Sequence, residues 1–118
     1  MCMSGFYFTY HSLVLQMESL PMARPRLLEN DEITYLMSKH PLWERQDTVI
    51  IRYFAPSNFV SAIGLINAIA ILAEKMDHHP DIHLTGWNKV QICLSTHDQG
   101  GLTELDFRLA ADIDAIQS

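Results

Sequence analysis

The 118-residue sequence predicts an α+β fold with the element order α-β-β-α-β-β-α, in which helices pack on one face of a four-stranded antiparallel sheet. Three segments, residues 30–39, 57–76 and 103–116, carry apolar residues at helical spacing. Two others, residues 49–54 and 89–96, divide their side chains between two faces with a period of two, as strands do. Short connections between consecutive strands favour antiparallel pairing.

The first helix is predicted over residues 30–39, and a β-hairpin follows it. Asn30 can cap the helix, with an acidic first turn directly after it, and Pro41 ends it. Residues 42–44 and 49–54 are β-type runs separated by a polar turn, so the two strands can pair with each other.

The second helix is apolar nearly all round, and Ser57 can cap it. Its apolar residues form two stripes, with Phe59, Ile63, Ile66, Ala70 and Ala73 in the first and Leu65, Ile69, Leu72 and Met76 in the second. A helix of this kind is buried on both sides. One face is therefore expected to cover the sheet, while the other meets either the last helix or another subunit.

The second half of the chain predicts two more strands and a last helix. Residues 82–87 and 89–96 have strand character, and residues 98–101 form a polar, glycine-rich turn. Thr103 can cap the final helix, which carries its apolar residues as far as Ile116.

Composition indicates one domain over residues 26–118, preceded by an extension over residues 1–25 that lies outside the core fold. The net charge is −6 and the basic residues are scattered singly, so direct nucleic-acid binding, which needs clustered lysine and arginine, is not expected. Cys2 and Cys93 are too few for a disulfide framework. A reducing compartment is expected, the cytoplasm first and the nucleus as an alternative.

Residues 53–73 contain no charged side chain, which raises the question of a membrane span. Pro56, Asn58 and Asn67 interrupt the run, and a strongly polar segment begins at Glu74. Polar groups within a span are costly, so no membrane association is expected.

Three histidines form the most informative feature of the sequence. His78 and His79 stand directly before Pro80, which disfavours helical backbone at His79 and places both imidazoles at a chain reversal. His97 follows the fourth predicted strand, at the point where the chain leaves the sheet. Histidine exchanges protons near neutral pH, since its unperturbed pKa is about 6.5. The cluster therefore indicates an acid/base site.

Two carboxylates stand at positions that could support these histidines. Glu74 precedes His78 by four residues, so in a continuous helix the two side chains share a face and can form a hydrogen bond. Asp106 follows Thr103 by three residues, the spacing at which a carboxylate caps a helix start. Asp106 could equally orient a histidine, and the two roles are compatible.

A metal site is not expected. His79 and His83 have the spacing of a helical zinc pair, but Pro80 between them forbids the helix that would align them. Neither cysteine stands nearby in the sequence to complete a tetrahedral set.

The segments that carry most of this chemistry are Glu74-Lys75-Met76-Asp77-His78-His79-Pro80, Trp87, Thr96-His97, Gly101-Leu102-Thr103 and Asp106. Together they resemble the pterin-4a-carbinolamine dehydratase family, whose pattern runs through Glu-Lys-x-Asp-His-His-Pro, an aromatic residue, Thr-His and Gly-Leu-Ser/Thr-x-x-Asp. The resemblance covers residues 27–118. Between Pro80 and Trp87 this sequence has one residue more than the family pattern, a departure that affects the pocket wall near Ile82.

The resemblance implies a hydro-lyase that dehydrates 4a-hydroxytetrahydrobiopterin to quinonoid dihydropterin and so serves tetrahydrobiopterin recycling. It implies catalytic roles for His78, His79 and His97, supporting roles for Glu74 and Asp106, and substrate contacts from Asp77, Pro80, Ile82, Trp87 and Thr96. It further implies no cofactor or metal and a homodimer or homotetramer. Some family members also act as dimerisation cofactors of a transcription factor, which gives the alternative function.

Overall fold

A computed structural model describes residues 25–117. Its elements are α1 (Asn30–Lys39), β1 (Glu44–Gln46), β2 (Val49–Phe54), α2 (Phe59–Met76), β3 (Asp81–Thr85), β4 (Lys89–Leu94), a 3-10 turn (His97–Gln99) and α3 (Glu104–Ile116). The predicted α+β class and element order are confirmed. The predicted extension, residues 1–25, lies outside the described residues except for Pro25.

The strands are ordered β1-β2-β4-β3, and each neighbouring pair is antiparallel. β2 and β4 form the centre, where Ile50 lies opposite Leu94. β3 pairs with the other side of β4, and Asp81 lies opposite Cys93. Because of this register, the starts of β2 and β3 and the finish of β4 lie together at one end of the sheet, which we call the site end.

The core lies on one face of the sheet. Val90, Ile92 and Leu94 of β4 are buried on that face. They belong to the same apolar cluster as Ile69 of α2 and Leu109 of α3, which have no exposed surface. α2 also packs along α3, so the two helices cover this face together, as predicted.

α2 buries one of its apolar sides within the domain and exposes the other. Leu65 and Ile69, which belong to the second of the two predicted stripes, are buried in the core. Val60 and Ile71 are 78% and 63% exposed. The outer face of α2 therefore consists of Phe59, Val60, Ile63 and Ile71. The two sides differ because α2 has only one sheet to cover.

Among residues 25–117, α2 is the one helix whose length and composition would allow it to cross a membrane. Its inner side instead packs on β4 and α3. This packing gives the apolar residues on the inner side of α2 a role in the core.

Two helix caps lie one residue away from the predicted positions. α1 is capped by Glu29 rather than Asn30, since Glu29 and Glu32 form a reciprocal capping box. α2 is capped by Asn58 rather than Ser57, and the Asn58 side chain accepts a first-turn backbone N–H at 2.7 Å. Polar residues stand side by side at both helix starts, and the extended backbone conformation of Glu29 and Asn58 decides which one caps.

The strand boundaries also differ from prediction. β1 occupies Glu44–Gln46 rather than residues 42–44, because Asp47 takes a left-handed conformation (φ 58°) that allows a tight turn into β2. β3 and β4 finish earlier than predicted, at Thr85 and Leu94.

A polar cluster around Asp114 ties the first half of the chain to α3. Asp114 accepts a hydrogen bond from the buried Trp43 indole at 2.9 Å and forms an ion pair with Arg52 of β2. The His40 ring, at the finish of α1, lies 3.5 Å from the same carboxylate. Arg52 also stacks on Phe54, with 4.3 Å between the guanidinium carbon and the ring centroid. The cluster thereby holds α1, β2 and α3 together.

Candidate active site

A pocket of about 260 Å³ opens at the site end of the sheet. It lies between the finish of α2 and the loop that follows β4, and its lining consists of Asp77, His78, His79, Ser95, Thr96, His97 and Asp98. The three histidines predicted to work together therefore line one cavity. They reach it from two chain segments that the sheet topology brings side by side.

The backbone conformation of Asp77 places the two adjacent histidines in different surroundings. α2 ends at Met76, and its cap residue Asp77 has a left-handed conformation (φ 53°, ψ 42°). The N–H of His78 donates to the carbonyl of Ala73. Left-handed backbone is unusual for a residue other than glycine, although aspartate tolerates it better than most. After this reversal His78 is 8% exposed, while the side chain of His79 is 58% exposed.

His78 is paired with a buried carboxylate. Its Nε2 lies 2.7 Å from Oδ1 of Asp106, which has no exposed surface. The other oxygen, Oδ2, accepts hydrogen bonds at 2.9 Å from the Thr103 backbone N–H and the Thr96 hydroxyl. Thr103 caps α3, and Asp106 completes its capping box. The capping geometry and the contact with a histidine, both predicted for Asp106, occur together.

The Asp106 contact selects one tautomer of neutral His78. A carboxylate can only accept, so the Nε2 that faces it carries the proton, and Nδ1 is left with a lone pair. In residues 25–117 every buried side-chain nitrogen and oxygen has a hydrogen-bond partner. Within residues 25–117 the described hydrogen bond of the His78 ring is made by Nε2, and His78 lines the pocket. Nδ1 is therefore the nitrogen that can meet a ligand.

Glu74 does not form the predicted hydrogen bond with His78. Its carboxylate lies 3.0 Å from Nε2 of His79, and both side chains are exposed. The prediction assumed that the helix continued to His78, whereas the left-handed residue Asp77 interrupts it. An exposed pair of this kind orients His79 only weakly.

His97 lies in the 3-10 turn after β4 and is exposed at the pocket. The turn is tied down through the backbone of Thr96, whose N–H donates to the Gly101 carbonyl at 2.9 Å. The Thr96 carbonyl in turn accepts from the N–H groups of Gln99 and Gly100 at 3.0 Å. His97 thus projects from a loop whose base is fixed to the fold.

A comparison with known families agrees with this geometry. The family model described as "Pterin 4 alpha carbinolamine dehydratase" matches residues 26–116. The chain belongs to the pterin-4a-carbinolamine dehydratase family.

Relatives named as pterin-4-alpha-carbinolamine dehydratases cover the same region. One from Chloroflexus aurantiacus is 47% identical over 92 residues, which are 78% of this chain and 97% of the relative. Another from Prochlorococcus marinus is 41% identical over 92 residues, 78% of this chain and 95% of the relative.

Two solved structures have similar folds. The Brucella melitensis protein described as a transcriptional coactivator/pterin dehydratase superposes with a TM-score of 0.72 at 32% identity, covering 77% of this chain and 98% of its own. A pterin dehydratase-like protein described as a RuBisCO assembly factor in the alpha-carboxysome gives a TM-score of 0.50 at 26% identity, covering 62% and 83%.

Some of the pterin-4a-carbinolamine dehydratase contacts predicted from the resemblance lie away from this pocket. Ile82 belongs to β3, where it packs against the core beside Ile92. Pro80 lies at the chain reversal but does not line the pocket. Trp87 lies in the β3–β4 turn and is 55% exposed. The six residues of β4, about 20 Å at about 3.3 Å per residue, separate that turn from the site end.

Thr96 lines the pocket, but its hydroxyl points to Asp106. Sequence reasoning missed Ser95 and Asp98 as lining residues, and it treated Thr103 as a cap alone. The adjacency of Ser95 and Asp98 to Thr96-His97 was the available signal. No three His, Cys, Asp or Glu side chains of residues 25–117 converge as a metal site would require.

Proposed function

We propose that this protein is a 4a-hydroxytetrahydropterin dehydratase, a carbon-oxygen hydro-lyase, in which His78, His79 and His97 carry out the proton transfers. The observation that carries the proposal is the joint lining of one pocket by these three histidines, one of them held by a buried carboxylate. Membership of the pterin-4a-carbinolamine dehydratase family supports the substrate class.

The reaction needs two proton transfers. The C4a–O bond breaks and the hydroxyl leaves as water, which requires a general acid on that oxygen. The N5–H bond gives its proton to a base, and its electron pair forms the C4a=N5 bond of the quinonoid dihydropterin. Imidazoles suit both steps because they exchange protons near neutral pH.

The geometry distinguishes the three histidines. His78 presents the lone pair of Nδ1 from a nearly dry, fixed ring, so it can accept a proton without first reorganising. His97 and His79 are exposed at the pocket rim, where they can follow the substrate and exchange protons with solvent. His78 and His97 are the pair that we propose to act on the hydroxyl and on N5.

The decisive measurement is stopped-flow dehydration of synthetic 4a-hydroxytetrahydropterin. The His78→Ala/His97→Ala double variant should lose enzyme acceleration while keeping the circular dichroism spectrum of the wild type. His83→Ala is the matched control, because His83 is exposed on β3, outside the pocket lining. An unchanged rate in the double variant would remove the proposal.

We also propose that the outer face of α2 associates with a second copy of this chain. Apolar patches rimmed by polar residues commonly mark protein interfaces, and this face combines Phe59, Val60, Ile63 and Ile71 along one helix. Light scattering should show an oligomer for the wild type and a monomer for Val60→Glu/Ile71→Glu. Leu42→Glu is the control, since Leu42 is also exposed (62%) but precedes β1.

A monomeric wild type would contradict self-association and leave the outer face of α2 for a foreign partner. Since the similar Brucella melitensis protein is described as a transcriptional coactivator as well as a pterin dehydratase, a transcription factor is the alternative partner to test. Co-purification of a partner in wild type but not in Val60→Glu/Ile71→Glu would then support the binding function.

A further inference from the structure

We infer that Thr96 is a positioning residue that fixes His78 and His97 relative to each other, and that its hydroxyl does not contact the substrate. The inference rests on the proposed dehydration and deepens it. Thr96 immediately precedes His97 in the chain, and its side chain lies against the partner of His78. It therefore joins the two chain segments that supply the histidines.

The side chain of Thr96 is part of a buried chain of hydrogen bonds. Thr96 is 4% exposed, and Thr103 and Asp106 have no exposed surface. The Thr96 hydroxyl lies 2.9 Å from Oδ2 of Asp106 and 2.7 Å from the Thr103 hydroxyl. The Thr103 hydroxyl also accepts from the Leu105 N–H at 3.2 Å.

The direction of these hydrogen bonds follows from the number of hydrogens. Each hydroxyl has one, and the carboxylate has none to give. Thr96 therefore donates to Asp106, and Thr103 donates to Thr96. Oδ2 of Asp106 then receives the Thr96 hydroxyl and the Thr103 N–H, which leaves Oδ1 for Nε2 of His78. Rotation of the carboxylate would break hydrogen bonds that the dry interior cannot replace.

The backbone of Thr96 holds the His97 loop at the same time. Its N–H pairs with Gly101, and its carbonyl accepts from Gln99 and Gly100, so the 3-10 turn that carries His97 is fixed to Thr96. One residue thus positions His97 through its main chain and His78, by way of Asp106, through its hydroxyl. A hydroxyl committed to Asp106 has no hydrogen left for a substrate.

The test compares Thr96→Val, which keeps the shape but removes the hydroxyl, with Thr96→Ser, which keeps the hydroxyl. We expect kcat to fall about tenfold in Thr96→Val, with KM within about twofold of the wild type, because misplacing a reacting group costs rate rather than affinity. Thr96→Ser should recover most of kcat. Thr85→Val, the same substitution at an exposed position of β3, should leave both constants unchanged.

A spectroscopic measurement separates positioning from general destabilisation. In ¹⁵N-histidine-labelled wild type with a neutral ring, Nε2 of His78 should have the chemical shift of a protonated nitrogen and Nδ1 that of an unprotonated one. Thr96→Val should shift or broaden these signals, while Asn58→Ala, which removes the cap of α2, should lower stability and leave them unchanged. If Thr96→Val does not fold, Thr96→Ala provides the second variant without a hydroxyl.

Two results would overturn the inference. A Thr96→Val variant that raises KM several-fold at unchanged kcat would show that the hydroxyl binds substrate. Unchanged His78 signals together with unchanged kcat would show that the hydroxyl only stabilises the fold. Since the NMR measurement needs no substrate, a wild type without dehydratase activity would refute the proposed function while the positioning of His78 could still be tested.

Discussion

Asp106→Asn is expected to reverse the tautomer of His78 while the domain stays folded. The Thr103 N–H and the Thr96 hydroxyl both donate to Oδ2, so an asparagine at 106 must keep its amide oxygen there. Its NH₂ group then faces Nε2 of His78. Because an amide nitrogen only donates, Nε2 has to accept, and the proton of the neutral ring moves to Nδ1. Nδ1, the ring nitrogen that Asp106 leaves for a ligand, thereby loses its lone pair.

The size of the effect can be estimated from the hydrogen bond that is lost. A hydrogen bond to a charged group contributes about 1.5–3 kcal/mol, which corresponds to about 10- to 150-fold in rate if it is needed in the transition state. The cost in stability should be smaller, about 1 kcal/mol, since the hydrogen bonds to Thr96 and Thr103 remain. Asp106→Ala differs, because it leaves three buried donors without an acceptor and should cost about 3 kcal/mol or more.

Stopped-flow dehydration gives the rate for each variant, urea unfolding gives the stability, and ¹⁵N NMR of labelled histidine reports the tautomer. The reasoning requires a reversed tautomer and a lower kcat in the same Asp106→Asn sample. If the NMR signals show Nδ1 protonated while kcat stays within about twofold of the wild type, the lone pair of Nδ1 has no part in the reaction, and the assignment of this nitrogen fails.

Three further predictions concern the rest of the domain. Asp114→Ala should lower the free energy of unfolding by about 2 kcal/mol in a urea titration. This cost is smaller than that of breaking a fully buried ion pair, because Asp114 is partly exposed. The control Asp112→Ala, at an exposed position of the same helix, should cost under about 0.5 kcal/mol. Burial raises the pKa of the Cys93 thiol, so its alkylation, followed by peptide mass spectrometry, should be slower at pH 8 than in the urea-unfolded protein; equal rates would contradict this. The Arg26 guanidinium and then the Glu29 backbone N–H lower the pKa of Glu32 from 4.5 to about 2. The stabilisation from Glu32 should therefore be complete above pH 4.5 and disappear as the pH falls toward 2; Arg26→Gln should raise the Glu32 pKa in a carboxyl NMR titration, and an unchanged value would show that Arg26 is not the cause.

The regular part of the fold could be predicted because periodicity is a local signal. The predicted limits of α1 match Asn30–Lys39, and the alternation in residues 89–96 places the buried side of β4 correctly. The caps at Glu29 and Asn58 were missed by one residue, because neighbouring polar side chains can each cap and only the backbone conformation chooses between them.

The sequence could predict which histidines form the candidate site, but it could not predict which side chains contact each other there. The three histidines were expected to meet, and they line one pocket. Glu74 was assigned to His78 because spacing assumes a continuous helix, and the left-handed conformation of Asp77 leaves no mark in the residue spacing. The contact between Thr96 and Asp106 joins residues that are ten apart in different elements, and such contacts follow only from the assembled fold.

The left-handed turn at Asp77 has a consequence for how this sequence can change. His78 and His79 are neighbours in the sequence, yet one is buried and the other is exposed. The backbone conformation of a single residue, Asp77, produces this difference. Inserting one residue before His78 would move its ring to the outer position, and deleting one residue between Asp77 and Pro80 would remove one of the two histidines. Point substitutions near this turn can therefore leave both histidine positions in place. A change in chain length at the turn disturbs both positions, so both histidines would have to be restored together.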